Sequence, residues 1–381
     1  MTHSVESAPP LTSAPSPSAR HTAWRGPRTA DALAVGLLLW SLVTSALGVY
    51  WARGGRGFPL DPGHVPRELA SPLATSDQGS MGWWIATAGV CWAALAAAML
   101  HPPHGRCARQ FVSRMAWGTC VFLMVVVPDA RALAAAAYAP IFLVGAPFGW
   151  PPARYGALLP WPVAYLLLCM IAGLAWGAAA VAFRRATGDS CAHCGRGWTS
   201  GLSFLAHGWP ARAAVAVAVV VPLCYATVRM AWFLGIPLGV SEAVLRAAHE
   251  SEAWSAAGAL AMVNVAGALL TLGLVRPWGE RFPRWIPGMG GRPVPPLLPL
   301  LVALPVATLV TSAGIGAVRL HLADGFGPDG WGGGAPALLW PLWGVALAAA
   351  AAGYYERQRR PCAACGASRW PRREPSRRHV L

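Results

Sequence analysis

Apolar residues run in long blocks along this chain, separated by short polar stretches rich in Arg, Pro and Gly. A membrane-crossing helix needs about 20 predominantly apolar residues. Eight blocks approach or exceed that length, at residues 32–52, 82–100, 116–142, 160–183, 212–236, 254–275, 297–319 and 336–355. The pattern predicts an all-α fold, a polytopic transmembrane helical bundle of about eight spans. The third block contains Pro128-Asp129-Ala130-Arg131. It is therefore expected to be either one kinked, tilted helix or a broken one.

The blocks also repeat. Leu42-Val43-Thr44-Ser45-Ala46 of the first recurs as Leu309-Val310-Thr311-Ser312-Ala313 of the seventh. Val125-Val126-Val127-Pro128 of the third recurs as Val219-Val220-Val221-Pro222 of the fifth. The simplest account is four helical hairpins in two tandem four-helix halves, 31–200 and 201–381. An even number of spans separates equivalent points, so the repeat is parallel rather than inverted. Residues 1–30 are rich in Ser, Pro and Ala and lack an apolar core. They read as a disordered tail rather than a secretory signal.

Composition agrees with a membrane protein. The chain of 381 residues is 55% hydrophobic and 12% charged, against about 25% charged residues in soluble domains. The net charge is +15, and all 30 basic residues are arginine. In a soluble protein that charge would suggest nucleic acid. Here the arginines flank the spans, so topology accounts for them and no nucleic-acid partner is expected.

Their placement is one-sided. Arg20, Arg25 and Arg28, Arg106, Arg109 and Arg114, Arg184, Arg185, Arg196 and Arg212, and Arg276, Arg281, Arg284 and Arg292 fall on one side, with eight more after residue 355. The opposite loops are poorer in arginine and richer in acids, including Asp61, Glu68, Asp77, Glu242, Glu250, Glu252, Asp324 and Asp329. By the positive-inside rule the chain sits in the cell membrane with both termini cytoplasmic. The arginine-rich end, Arg357 to Arg378, could also attract anionic lipid.

Candidate chemistry changes the picture at two places. Cys191-Ala192-His193-Cys194-Gly195 and Cys362-Ala363-Ala364-Cys365-Gly366 each follow an arginine pair at the end of a half. Cys-x-x-Cys-Gly is the knuckle of a zinc ribbon. Its spacing lets two sulfurs reach one ion, and a closed structural zinc takes four. Cys191, Cys194, Cys362 and Cys365 are thus expected to form one structural zinc site that staples the halves on the reducing side. Thiol redox chemistry and unoccupied thiols are the alternatives. His193 is expected to face solvent. Cys91, Cys120, Cys169 and Cys224 lie in apolar blocks and read as packing residues, and Cys107 lies in a basic loop.

The second place is the membrane interior, where Asp129, Arg131, Arg229 and Asn264 interrupt the apolar blocks. Charges there face a bundle interior or a cavity. On a regular helix Asp129 and Arg131 would point about 200° apart, so Arg229 is the expected partner of Asp129 unless the helix breaks at Pro128. Outside the spans, Ser241–Glu252 reads as a short amphipathic helix with Glu242, Arg246 and Glu250 on one face. Its His249 is expected on a solvated surface rather than in a metal or acid–base site. The tryptophans, including Trp83-Trp84, Trp209, Trp278 and Trp285, cluster at span ends as an aromatic belt.

Tyr50-Trp51-Ala52-Arg53-Gly54-Gly55, followed by Gly57-Phe58-Pro59, resembles the turn after the first span in a class of actinobacterial multi-pass integral membrane proteins of unknown function. Their pattern there is Tyr-Trp-Ala-x-Gly-Gly. Arg276-Pro277-Trp278-Gly279 with Arg281, Pro283, Arg284 and Trp285 resembles their basic inner loop. The resemblance implies an architecture and no chemistry.

No nucleophile–base set, paired-carboxylate motif or nucleotide-binding loop stands out, so an enzyme is not expected. Two functions fit the sequence. One is small-molecule transport along a polar path between the halves, near Asp129, Arg131, Arg229 and Asn264. The other is a membrane-embedded regulatory or scaffold protein whose cytoplasmic zinc module engages a protein partner. A thiol oxidoreductase is the weaker alternative.

Overall fold

The computed structural model describes residues 27–61, 69–75, 77–149, 156, 159–195, 204–250, 253–325, 331–359, 362 and 364–365. The N-terminal tail up to residue 26, the loop residues Arg67, Glu68, Arg154, Arg196, Glu252 and Asp329, and the arginines beyond Arg359 lie outside the described residues.

The chain is an all-α polytopic bundle. Its helices are α1 (Pro27–Ala52), α2 (Gln78–Leu100), α3 (Arg106–Val121), α4 (Ala130–Gly145), α5 (Trp161–Ala186), α6 (Gly208–Phe233), α7 (Glu242–Glu250), α8 (Ala253–Gly273), α9 (Leu297–Asp324), the single turn α10 (Trp331–Gly334) and α11 (Trp340–Gln358). Among the described residues, seven helices are long and apolar enough to cross a membrane. The bent pair 106–126 and 130–145 makes an eighth. Helices dominate because hydrocarbon supplies no hydrogen-bond partners. Each span must therefore satisfy its own backbone.

The spans associate as hairpins. α1 packs along α2, α3 along α5, α6 along α8 and α9 along α11. In each half the first span also meets the last, α1 with α5 and α6 with α11. The halves meet where α4 lies against α9 and α8. The largest apolar core, around Trp51, Leu123, Leu166 and Trp176, belongs to the first half. It also reaches Leu309 of α9.

Glycine sets how closely the hairpins approach. A side chain at Gly82 of α2 would press on the Ala52 Cα at 2.6 Å, and one at Gly89 on the Ser45 nitrogen at 2.6 Å. In the second half, Gly344 of α11 sits against Thr311 and Ala307, and Gly314 of α9 against Pro341. Both copies of the Leu-Val-Thr-Ser-Ala stretch are thus approached by a glycine of the partner helix. Between lipid-embedded helices this close packing substitutes for the missing hydrophobic drive. Gly82→Ala is expected to lower stability by about 1–3 kcal/mol through overpacking. Gly36→Ala, which meets open space, should instead gain up to about 1 kcal/mol of helix propensity. Melting in detergent reads both. Equal shifts in one direction would remove the packing argument.

The Tyr50–Pro59 turn has a direct physical account. Gly54 closes α1 at φ 84°, where a side chain would be strained. Gly55 lies against the Tyr50 ring, with no room for a Cβ. The Gly55 N–H donates to the Tyr50 carbonyl and the Arg56 N–H to the Tyr50 hydroxyl. Trp51 turns inward against Phe58 and Tyr165.

The third span is broken, one of the two forms expected of it. α3 runs into a wide turn over Phe122–Val126, where the Val127 N–H reaches the Phe122 carbonyl, five residues back. Pro128 has no N–H to continue the ladder. The chain resumes as α4 at an angle of 76°.

Candidate metal centre and intramembrane polar junction

The cysteine centre is assembled by helix ends. α5 ends at Ala186 and α11 at Gln358. The few residues after each carry a knuckle. The first knuckle turns through a Gly195 N–H bond to the Cys191 carbonyl at 2.7 Å, with Gly195 at φ 67°. The Arg185 side chain fills the space over Gly195.

The four sulfurs of Cys191, Cys194, Cys362 and Cys365 all lie within 4.8 Å of one another. Cys191 Sγ stands 4.0 Å from Cys362 Sγ, and Cys194 Sγ 3.6 Å from Cys365 Sγ. Those separations are too long for disulfides, and none of the nine cysteines is disulfide-bonded. Backbone N–H groups, that of Cys194 first, pull the Cys191 thiol down to about 6. The Cys365 N–H acts the same way on Cys362, below the usual thiol range. Thiolate, not thiol, is the metal-binding form. The cluster can hold a metal ion.

Arg359 holds the two knuckles in register. It is 8% exposed. It donates to the Cys194 carbonyl of the other half, pairs with Glu356 at 2.8 Å and lies over the Tyr355 ring. His193 is exposed and stands outside the cluster, as expected. Cys120 and Cys169 are buried packing residues. Cys91 and Cys224 are exposed on their helices, which corrects the packing role expected for them.

In the membrane interior the pairing differs from expectation. Asp129 precedes α4 and is not part of a regular helix, so its carboxylate folds back onto the first turn. It accepts from the Arg131 backbone N–H at 2.9 Å, which is an N-cap arrangement. It also pairs with the Arg131 guanidinium at 2.7 Å. The 200° separation holds only inside a helix, and the break removes it. Arg229, the expected partner, instead lies over the rings of Tyr225 and Trp232, at 4.8 and 4.4 Å. Asn264 donates to the Leu260 carbonyl of its own helix at 2.8 Å. Among the described residues no hydrogen bond or ion pair joins Asp129 or Arg131 to Arg229 or Asn264.

The break is satisfied from two sides. Ser71, in the connection between α1 and α2, donates its N–H to Asp129 at 3.3 Å and its hydroxyl to the Val126 carbonyl at 3.2 Å. Ser312 of α9 donates to the Pro128 carbonyl. Arg131 also reaches the Asp61 carbonyl at 2.8 Å, and Arg319 of α9 the Ala70 carbonyl at 3.3 Å. The carbonyls left open at the break, those of Val126 and Pro128, thus bind one loop of the first half and one helix of the second. Ser71, Ser312 and Arg319 drew no attention in the sequence as partners of the break. Ser312 did carry a signal, since it lies in the repeated Leu-Val-Thr-Ser-Ala stretch.

α7 forms as expected, but its charges do not pair across the helix. Arg246 donates to the Glu242 backbone carbonyl, and among the described residues it makes no ion pair with Glu242 or Glu250. His249 meets the Trp232 carbonyl at 3.0 Å and stacks on Trp254, so half of its ring is engaged by the bundle. The belt residues Trp83, Trp84, Trp209, Trp278 and Trp285 are exposed near helix ends and turns. No protein family, curated protein or solved structure matches this chain.

Proposed function

We propose that the four cysteines hold one structural zinc ion. It clasps the two halves on the cytoplasmic side of the cell membrane, and the protein acts as a membrane-embedded regulatory or scaffold protein through this module. One observation carries the reading. Four sulfurs from knuckles 171 positions apart converge to within 4.8 Å. Four zinc–sulfur bonds of 2.3 Å in a tetrahedron set sulfur–sulfur edges of about 3.8 Å. The two cross-half pairs, at 4.0 and 3.6 Å, bracket that value. When bound, zinc would supply a fixed tetrahedral link and no open position for substrate. The protein's own part is done by the knuckle N–H groups, which favour the thiolates, and by Arg359, which bridges the knuckles.

Metal analysis of the purified full chain tests this. The expected ratio is one zinc per chain, and cobalt exchanged into the site should give thiolate charge-transfer absorption. A metal-free protein that folds normally would end the proposal. The regulatory reading has its own test, proximity labelling from the C-terminus in cells. Its labelled cytoplasmic set should change when Cys191 and Cys362 are replaced by serine. An identical set in a metal-free variant would leave the zinc structural and the regulatory role unsupported.

Small-molecule transport is the second reading, favoured by the broken third span. Discontinuous spans often carry binding sites in transporters. Against it, the buried charge at this break is paired with Arg131 and Ser71, Arg229 lies over aromatic rings of its own helix, and Asn264 bonds to its own helix.

A further inference from the structure

A cavity of about 370 Å³ lies within the first half, beside the broken span and away from the metal centre. It is lined by the N-terminal halves of α2 and α5, the middle of α1, and Leu60 and Leu73 of the connection between α1 and α2. Its wall is mainly apolar, and Trp40, Trp84, Trp92, Phe122 and Tyr165 contribute aromatic rings to it. Trp40 stacks on Trp92 at 5.5 Å, and Trp92 meets Phe122 at 6.3 Å. None of its lining residues is charged.

The broken span builds one side of it. Phe122, Leu123 and Val127, from the wide turn and its end, all line the cavity. On a regular α-helix Phe122 and Val127, five residues apart, would point about 140° apart. The Val127-to-Phe122 hydrogen bond closes a wider turn that brings both to the same side. Such turns are rare and are found frequently at functional sites.

Trp84 lines the cavity and is 69% exposed. α2 packs closely on α1 but meets α3 only sparsely. α2 is long and apolar enough to cross a membrane, so side chains exposed on it face lipid tails or the interface. A fatty acid entering whole would bring a carboxylate among uncharged side chains, which is costly. A bilayer phospholipid entering by one chain leaves its headgroup in the interface. The volume lies at the small end of ligand pockets, about 300–1,000 Å³, which suits one chain.

We infer that this uncharged, mainly apolar cavity is a binding site for one acyl chain of a membrane phospholipid, admitted past Trp84. Lipid tails are as apolar as the wall, so selection rests on shape and packing rather than on a hydrophobic gain. The inference does not depend on the metal centre.

The test uses the full chain in nanodiscs of phosphatidylethanolamine and phosphatidylglycerol, with a minor share of phosphatidylglycerol carrying a mid-chain diazirine. After photolysis, adducts should concentrate on residues 81–92 and 122–127. Their density should exceed that on the exposed α8 residues Met262, Leu269 and Leu270 by about fivefold. Ala88→Trp, which fills the cavity, should lower those adducts to the α8 level, and Thr44→Leu should lower them in part. An even distribution of adducts around the bundle in the unaltered protein overturns the inference without any variant. So does unchanged labelling in a well-folded Ala88→Trp or Thr44→Leu protein. Equal labelling of the same segments by a diazirine fatty acid that displaces the phospholipid would overturn the phospholipid assignment.

Discussion

On the proposed zinc site, purified protein with Cys191 and Cys362 both replaced by serine is expected to carry less than about a tenth of the zinc of the unaltered chain, because two thiolates do not make a closed structural site. The apparent binding energy of such ions is about 10–16 kcal/mol in small zinc domains. Here that energy bears on the residues following α5 and α11, since the spans pack through their own contacts. The variant should therefore melt in detergent close to the unaltered protein. What changes is local. Arg359 is buried and tied to Cys194 and Glu356. Without the clasp it becomes open to trypsin, and cleavage there should be about tenfold faster, following the population of the opened form. Chelator treatment of the unaltered protein should reproduce the same cleavage. If trypsin cuts Arg359 equally fast with and without metal, the clasp has no structural role.

The second large effect lies in the membrane. Asp129→Ala leaves the Arg131 guanidinium, 14% exposed, without its carboxylate. It also strips the N-cap from α4 and an acceptor from Ser71. Removing one partner of a buried pair costs about 3–5 kcal/mol. Replacing both charges, as Asp129→Leu with Arg131→Met, should recover most of that loss, since apolar replacement of a buried pair is often neutral. The double-mutant cycle also separates the two functional readings. Recovery of stability with no loss of function makes the pair an element of architecture. A stable double variant that loses solute flux in liposomes makes it part of a path, and the transport reading then displaces the regulatory one.

The legible part of the site was the part encoded by spacing. Two Cys-x-x-Cys-Gly knuckles each announce half a tetrahedral site, and their equal placement after arginine pairs made one shared centre the economical reading. The structure adds what spacing cannot hold. Arg359 of one half grips the Cys194 carbonyl of the other, a contact set by where two helix ends arrive. The intramembrane residues show the opposite case. Asp129 and Arg131 were visible as costly charges, but helical geometry assigned them to different faces. That geometry lapses at Pro128, and neighbours in sequence became partners in space. Charge alone would pair Arg229 with Asp129. The arginine is held by the faces of Tyr225 and Trp232, one turn away on its own helix.

The eight apolar blocks, and with them the all-α membrane bundle, follow from the sequence by itself. Burial of backbone in hydrocarbon admits few alternatives, and block length settles the element. Which spans pair was not set by connection length: the long stretch 53–77 joins the closely packed α1 and α2, while the short stretch 101–105 joins α2 and α3, which meet only sparsely. Tertiary structure alone decided how the broken third span is healed and what it creates. Ser71 and Ser312 come from segments 55 residues before and 184 residues after their acceptors, Val126 and Pro128, and no local rule connects them. The same break widens one turn of helix and aims Phe122 and Val127 into a cavity whose other walls come from α1, α2 and α5. A cavity is a property of how elements fail to meet, which no single stretch of sequence records.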